Sequence, residues 1–153
     1  MFKPKFTKAD VQRMLQKRLQ VVERVIIDRL QYVGETFVRN ARLDGNYNDL
    51  TGNLRSSVGY IVLKHGDKVA GSNFEPSGKG SDKTTGSTKG KSFINDISAD
   101  FSQGYVLIVV AGMEYAAAVE SRGKDVLTGS STQATTDLKK AIDKVKAKLN
   151  KRT

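Results

Sequence analysis

The N-terminal third of the chain carries the clearest pattern of hydrophobic and polar positions. Apolar side chains recur at steps of four and three residues, which keeps them on one face of an α-helix. This stripe consists of Val11, Leu15, Leu19, Val22, Ile26, Leu30, Val33, Phe37 and Ala41. Thr7 and Asp10 have capping-box spacing before it, and Asp44-Gly45-Asn46 ends the pattern. The sequence therefore predicts one long N-terminal helix.

Such a helix is long relative to the domain that carries it. At about 1.5 Å per residue it forms a rod of roughly 55 Å, which exceeds the diameter of a globule of this size. We therefore expect it to extend beyond its own domain, with the stripe from Val11 to Phe37 covered by a neighbouring subunit. The alternative is a helix that breaks near Gly34 and folds back on itself.

A second amphipathic pattern lies near the C-terminus. Ser130 and Gln133 have capping-box spacing there. The apolar stripe that follows comprises Ala134, Leu138, Ala141, Ile142, Val145 and Leu149. Lysines fill the polar positions, either as a solvated face or in favourable interaction with the helix dipole.

The middle of the chain changes to the pattern of β-strands. Residues 58–63 are rich in β-branched and aromatic side chains and end at the turn signal His65-Gly66-Asp67, after which 68–71 is a candidate return strand. The apolar run 105–111 predicts a strand that is central or buried on both faces. The fold class expected is α+β, with a long N-terminal helix, a small mainly antiparallel sheet and a C-terminal helix in one domain, 1–153.

Glycine, serine, threonine and lysine dominate the segment between the second and third predicted strands. We expect a long flexible loop at about 76–91, and a short helix or an additional strand over 92–101. The run 86–92 is similar to a phosphate-binding loop, but it has three residues between its glycines instead of four and no buried strand before it. The loop lysines are candidates to face DNA or a partner protein, or they serve solubility alone: Lys79, Lys83, Lys89 and Lys91.

Composition narrows the possible chemistry. The chain of 153 residues has no cysteine and one histidine, His65, which excludes a disulfide framework, a thiolate zinc site and a cysteine nucleophile. Glu114 and Glu120 are six residues apart, which suits neither one helix face nor a metal pair. We expect no enzymatic activity and no catalytic, cofactor-binding or metal-binding residue. The sequence lacks an apolar run of about 18 residues, so we expect no membrane partner.

The formal net charge is +10, which indicates an anionic partner. Residues 1–45 carry a net +5 and residues 105–153 a net +4, whereas 46–104 carry only +1. The excess positive charge therefore belongs to the two predicted terminal helices.

Two short segments carry a family resemblance. The first is 51–58, Thr-Gly-Asn-Leu-Arg-Ser-Ser-Val, and the second is 110–120, where a glycine turn follows a strand and precedes a Tyr-Ala pair and a Val-Glu pair. With the order of elements over roughly 7–149, the chain resembles the phage neck and tail-completion family of siphovirus-like phages, the "gene product ten" group. The signature positions are Thr51, Gly52, Leu54, Arg55, Tyr115, Ala116, Val119 and Glu120.

The resemblance implies a structural virion protein, made in the host cytoplasm, that forms an oligomeric ring at the head–tail interface. It would help to join head to tail and line or seal the DNA channel. Its implied partners are further copies of itself, portal, adaptor or tail-tube proteins, and the genomic DNA that passes through. Charge alone gives an alternative, a small basic nucleic-acid-binding protein without sequence specificity, although the sequence lacks a recognition helix and an aromatic stacking platform.

Overall fold

The computed structural model describes residues 5–82 and 84–150. These residues form an α+β fold with a long N-terminal helix, a three-stranded antiparallel sheet and a C-terminal helix, which confirms the predicted fold class. The elements are α1 (Lys8–Leu43), α2 (Asn53–Ser56), β1 (Val58–Lys64), β2 (Asp67–Gly71), α3 (Thr85–Ser98), β3 (Tyr105–Ala111), α4 (Ala116–Ser121) and α5 (Thr128–Asn150).

Helix α1 begins and ends where local signals predict. Thr7 and Asp10 form the capping box: the Asp10 amide donates to Thr7 Oγ1 (3.2 Å) and the Thr7 amide donates to Asp10 Oδ2 (2.9 Å). The helix is continuous through Gly34, so the alternative of a break there is wrong. Gly34 serves close packing instead, because a Cβ at this position would lie 2.3 Å from the Tyr60 ring.

The strand order is β2-β1-β3, and both pairings are antiparallel. Strand β1 is central and is buried from Val58 through Leu63. The prediction that β3 occupies the centre is wrong, because among the described residues β3 pairs only with β1. The apolar run of β3 is explained by the other predicted environment, contact on both faces, since helices pack against both faces of the sheet.

The side chains of β1 alternate between these two faces, as the pleat requires. Tyr60 and Val62 pack with Leu30 of α1, and Leu138 of α5 contacts the same cluster. Ile61 and Leu63 point the other way, into a cluster that contains Ile94 of α3. Helices α1 and α5 therefore cover one face of the sheet, and α3 covers the other.

Helix α3 corrects the prediction of a flexible loop at 76–91. The helix begins at Thr85 and continues to Ser98, so it occupies the second half of that segment, and no additional strand forms over 92–101. Its glycines allow close packing: a Cβ on Gly86 would lie 2.2 Å from the Asn53 carbonyl oxygen, and one on Gly90 would lie 2.6 Å from the Phe74 ring. Composition was therefore misleading, because these glycines mark a tightly packed helix.

The C-terminal helix also begins earlier than predicted. Helix α5 starts at Thr128, two residues before Ser130, and Ser130 is buried. Over the described residues, no helix is both long and apolar enough to cross a membrane.

Candidate functional site

The structure brings the two signature segments together in one buried cluster. Leu54 of α2, with 2% of its surface exposed, and Ala116 of α4 belong to the same cluster as Phe37 of α1. Val119 packs against the edge of this cluster. The apolar signature positions therefore join the long helix to the far end of the sheet, where β1 begins and β3 ends.

Gly52 is required by its backbone conformation and by a close approach. Its φ is +80°, and a Cβ there would lie 2.2 Å from the Lys79 carbonyl oxygen. The Asp82 amide donates to the Thr51 carbonyl oxygen (3.1 Å). The first signature segment is thus packed directly against the chain that leads into α3.

Arg55 anchors the segment that follows α1. Its Nε donates to the Arg42 carbonyl oxygen (2.8 Å) and its Nη2 to the Gly45 carbonyl oxygen (2.9 Å). The guanidinium also lies over the Tyr47 ring, 4.4 Å from its centroid. Asp49 in turn accepts from the Arg55 amide (2.9 Å). Arg55 therefore satisfies carbonyl groups at the C-terminal end of α1, which is an internal structural role.

Glu120 holds the beginning of α5. Its carboxylate accepts from the Thr128 amide (2.8 Å), the Leu127 amide (3.3 Å) and the Thr128 hydroxyl. Burial raises the pKa of Glu120, but these hydrogen bonds outweigh it and leave the pKa below its ordinary value. The hydrogen bonds thus favour the ionised side chain of Glu120, and this negative charge caps the N-terminus of α5.

Tyr115 reaches from the second signature segment towards the first. Burial and the nearby Asp49 carboxylate raise the pKa of the Tyr115 hydroxyl, and a hydrogen bond with Thr51 opposes the rise. Arg55, Glu120 and Tyr115 each make contacts that hold the fold together, and none of these contacts resembles a catalytic arrangement.

Asp82 is a structural residue that sequence reasoning missed. It accepts from the amides of Thr84 (3.0 Å) and Thr85 (3.1 Å), at the start of α3, and from Asn53 Nδ2 (3.0 Å). The Thr85 side chain, the Thr84 amide and Asn53 hold its pKa well below the ordinary value. Aspartate and threonine are preferred at the N-terminal ends of helices, so Asp82, Thr84 and Thr85 gave a sequence signal for the start of α3.

The described members of the candidate loop lysines lie in two different parts of the fold. Lys79 precedes α3 and lies against the first signature segment, whereas Lys89 and Lys91 belong to α3. Lys89 Nζ is paired with Glu114 Oε1 at 2.5 Å. Lys83 lies outside the described residues.

The α1 stripe divides into two halves. Leu30, Val33 and Phe37 are buried in the core, and Val11, Val22 and Ile26 are partly buried. Leu15 and Leu19 are 54% and 63% exposed. Two further apolar side chains of this half, Met14 and Val21, lie outside the predicted stripe and are also exposed. Within the described residues, the first half of α1 therefore presents exposed apolar side chains, as expected for a helix that extends beyond its domain.

Most of the positive charge lies on the α1/α5 layer. Helix α1 carries eight basic and four acidic side chains, and α5 carries five and two. Helix α5 runs back along α1, so that its residues 138–145 face Ile26 and Leu30. Together the two helices form a cationic layer on one face of the sheet.

Among the residues that the structure describes, no group of three or more His, Cys, Asp or Glu side chains is placed to hold a metal ion.

No protein-family model, no curated protein and no solved structure matches the chain.

Proposed function

We propose that this protein is a structural component of a phage virion, forming an oligomeric ring at the head–tail interface. In this role it joins head to tail and lines or seals the DNA channel. The observation that carries the proposal is the first half of α1, which presents exposed apolar side chains away from the core. Several exposed large apolar side chains on one short segment are typical of a protein–protein contact.

The signature positions support a protein that acts through its shape. Leu54 and Ala116 fill the core, Arg55 anchors the end of α1, and Glu120 caps α5. These packing and hydrogen-bonding roles support the proposal of a structural protein.

The cationic α1/α5 layer suits this location. A layer of net positive charge favours contact with DNA in a channel or with an acidic face of a portal, adaptor or tail-tube protein. Self-association together with one of these partners is the assembly that we propose.

Localisation in the virion tests the proposal. The full-length chain, carrying an electron-dense tag, is supplied to a phage whose own copy is deleted, and purified particles are imaged by cryo-electron microscopy. We expect density for the tag at the head–tail junction, and separate heads and tails when the chain is withheld. Intact tailed particles that lack the protein would contradict the proposal.

The cationic layer also favours the second candidate function, nucleic-acid binding without sequence specificity. That function predicts duplex or single-strand affinity that falls steeply as salt rises. A gel-shift series at increasing salt distinguishes the two candidates. Submicromolar binding by a monomeric chain would favour the alternative, whereas the absence of binding near physiological salt removes it.

A further inference from the structure

An apolar groove lies beside β3, whose outer edge pairs with no strand of the described residues. It has a volume of about 400 Å³. Phe93 and Ile97 of α3 line one side, and Ala116 and Ala117 of α4 line the other, with Val109 of β3 between them. Phe93 is 45% exposed and Ala117 is exposed, so the groove is open to a partner.

The rim of this groove is acidic. Glu114 and Glu120 line it directly, and Asp96 lies three residues after Phe93, on the same flank of α3. Lys89 is paired with Glu114, so this pair adds no net charge, and the negative charge that remains around the groove is that of Glu120 and Asp96. The groove therefore favours an occupant that is apolar on one face and positively charged around it.

The first half of α1 has this character. Met14, Leu15 and Leu19 are exposed, and Arg18 lies between them on the same face of the helix. Residues 8–21 carry four basic side chains, Lys8, Arg13, Lys17 and Arg18, against the single carboxylate of Asp10. Over the part of the chain that the structure describes, Met14, Leu15, Leu19 and Val21 of this half keep more than half of their surface exposed.

The other apolar gap in this region fits such a helix less well. It lies between α1 and α5, next to Leu138 and Ile142, and has a volume of about 280 Å³. Arg29 and Lys146 line it, so a cationic helix would be repelled there. The charges around the two apolar sites therefore favour docking of this cationic helix in the groove beside β3.

We propose that residues 8–21 of α1 in one copy of the chain dock into the groove between α3 and α4 of the next copy. The inference rests on the proposed ring and specifies its subunit contact. Because the helix of one subunit meets a different surface of its neighbour, the contact is head-to-tail, the geometry that closes into a ring when the rotation between subunits permits.

Site-specific cross-linking tests this contact cleanly, because the chain has no cysteine of its own. Two full-length variants are prepared, Leu19→Cys and Ala117→Cys, and are mixed before treatment with a short bis-maleimide reagent. Both positions are exposed, so the variants should fold normally, and Met14→Cys provides a second probe on the helix.

We expect the mixture to give at least about tenfold more cross-linked dimer than a control mixture of Leu19→Cys with Lys68→Cys. Thiols held at an interface meet at an effective concentration on the order of millimolar, far above that of micromolar chains colliding at random. Lys68 is exposed on β2, at the opposite edge of the sheet from β3. The double variant Leu19→Cys/Ala117→Cys should give a ladder of higher multimers.

Two results would overturn the proposed contact. One is equal yield from the test and control mixtures; the other is efficient dimer formation by Leu19→Cys alone, which would indicate helix-to-helix pairing. The native mass of the unmodified chain distinguishes a failure of the proposed contact from a failure of the proposed ring. An oligomer without the cross-link removes this contact and leaves the ring, whereas a monomer at all concentrations removes both.

Discussion

Leu54 lies at the centre of the cluster that joins the two signature segments. Leu54→Ala should lower the free energy of unfolding by about 2–5 kcal/mol, because it removes buried methyl groups and leaves a cavity. Leu50→Ala is the matched control, since Leu50 is 80% exposed and only four residues away. Chemical denaturation followed by circular dichroism measures both changes. Equal stability of the two variants would contradict the role assigned to Leu54.

Gly90 shows that glycine content can mark tight packing as well as flexibility. A Cβ at this position would lie 2.6 Å from the Phe74 ring and 2.7 Å from the Ser57 carbonyl oxygen. Gly90→Ala should therefore destabilise the protein by about 1–3 kcal/mol through overpacking.

Gly78→Ala is the control for this substitution, because a Cβ at Gly78 meets nothing within 4 Å. Thermal unfolding should separate the two variants clearly. If both alanine variants unfold at the wild-type temperature, the close packing of α3 against Phe74 and Ser57 is wrong.

At the scale of elements, α3 depends on the carboxylate of Asp82. Its hydrogen bonds lower the folded-state pKa below the ordinary value of 3.8. A lowered pKa means that ionised Asp82 stabilises the fold above about pH 4, and that this contribution is lost as the pH falls through the folded-state pKa. Asp82→Asn keeps a hydrogen-bond acceptor but removes the charge.

We therefore expect Asp82→Asn to be less stable than the wild type at pH 7, with a difference that shrinks as the pH falls below 4. Urea midpoints of both proteins at pH 7 and pH 3 measure this change. Asp28→Asn, at an exposed position of α1, is the matched control for the same substitution on the surface of a helix. A constant gap between Asp82→Asn and the wild type would show that the charge does not stabilise α3.

The ends of α1 were predictable because a capping box and a helix-ending cluster are local signals. The existence of β1, β2 and β3 followed from their β-branched residues, but their order did not. An apolar strand at the edge of a sheet and one at the centre look alike in sequence when helices cover both faces of the sheet. The first half of α3 was missed because its buried glycines resemble those of a loop, whereas its second half lies within 92–101, where a short helix was one of the two predicted alternatives.

The contacts of the candidate site were less accessible to sequence reasoning. Arg55 reaches the Arg42 carbonyl oxygen thirteen positions earlier, and Asn53 reaches Asp82 twenty-nine positions later. Such hydrogen bonds depend on how elements pack, which periodicity does not report. The two signature segments identified residues that meet in space, but only the structure assigned a hydrogen-bonding or packing role to each.

At the scale of the whole molecule, the proposed assembly depends on which surface covers the first half of α1. The helix is anchored in the core by Leu30, Val33 and Phe37, and its first half presents apolar surface next to basic side chains. The α3/α4 groove of another copy offers apolar surface with an acidic rim. In the contact that we propose, one chain supplies both of the different surfaces that meet head to tail, and we therefore expect assembly rather than a monomer.

The most direct measurement is the native mass of the full-length chain by mass photometry or native mass spectrometry. At micromolar concentration we expect multiples of the 16.8 kDa chain. Leu19→Glu should shift the protein to the single-chain mass while it keeps the circular-dichroism spectrum of the folded chain, whereas Leu43→Glu, at an exposed position near the other end of α1, should still assemble. A monomeric wild type, or a Leu19→Glu protein that assembles as the wild type does, would contradict the account.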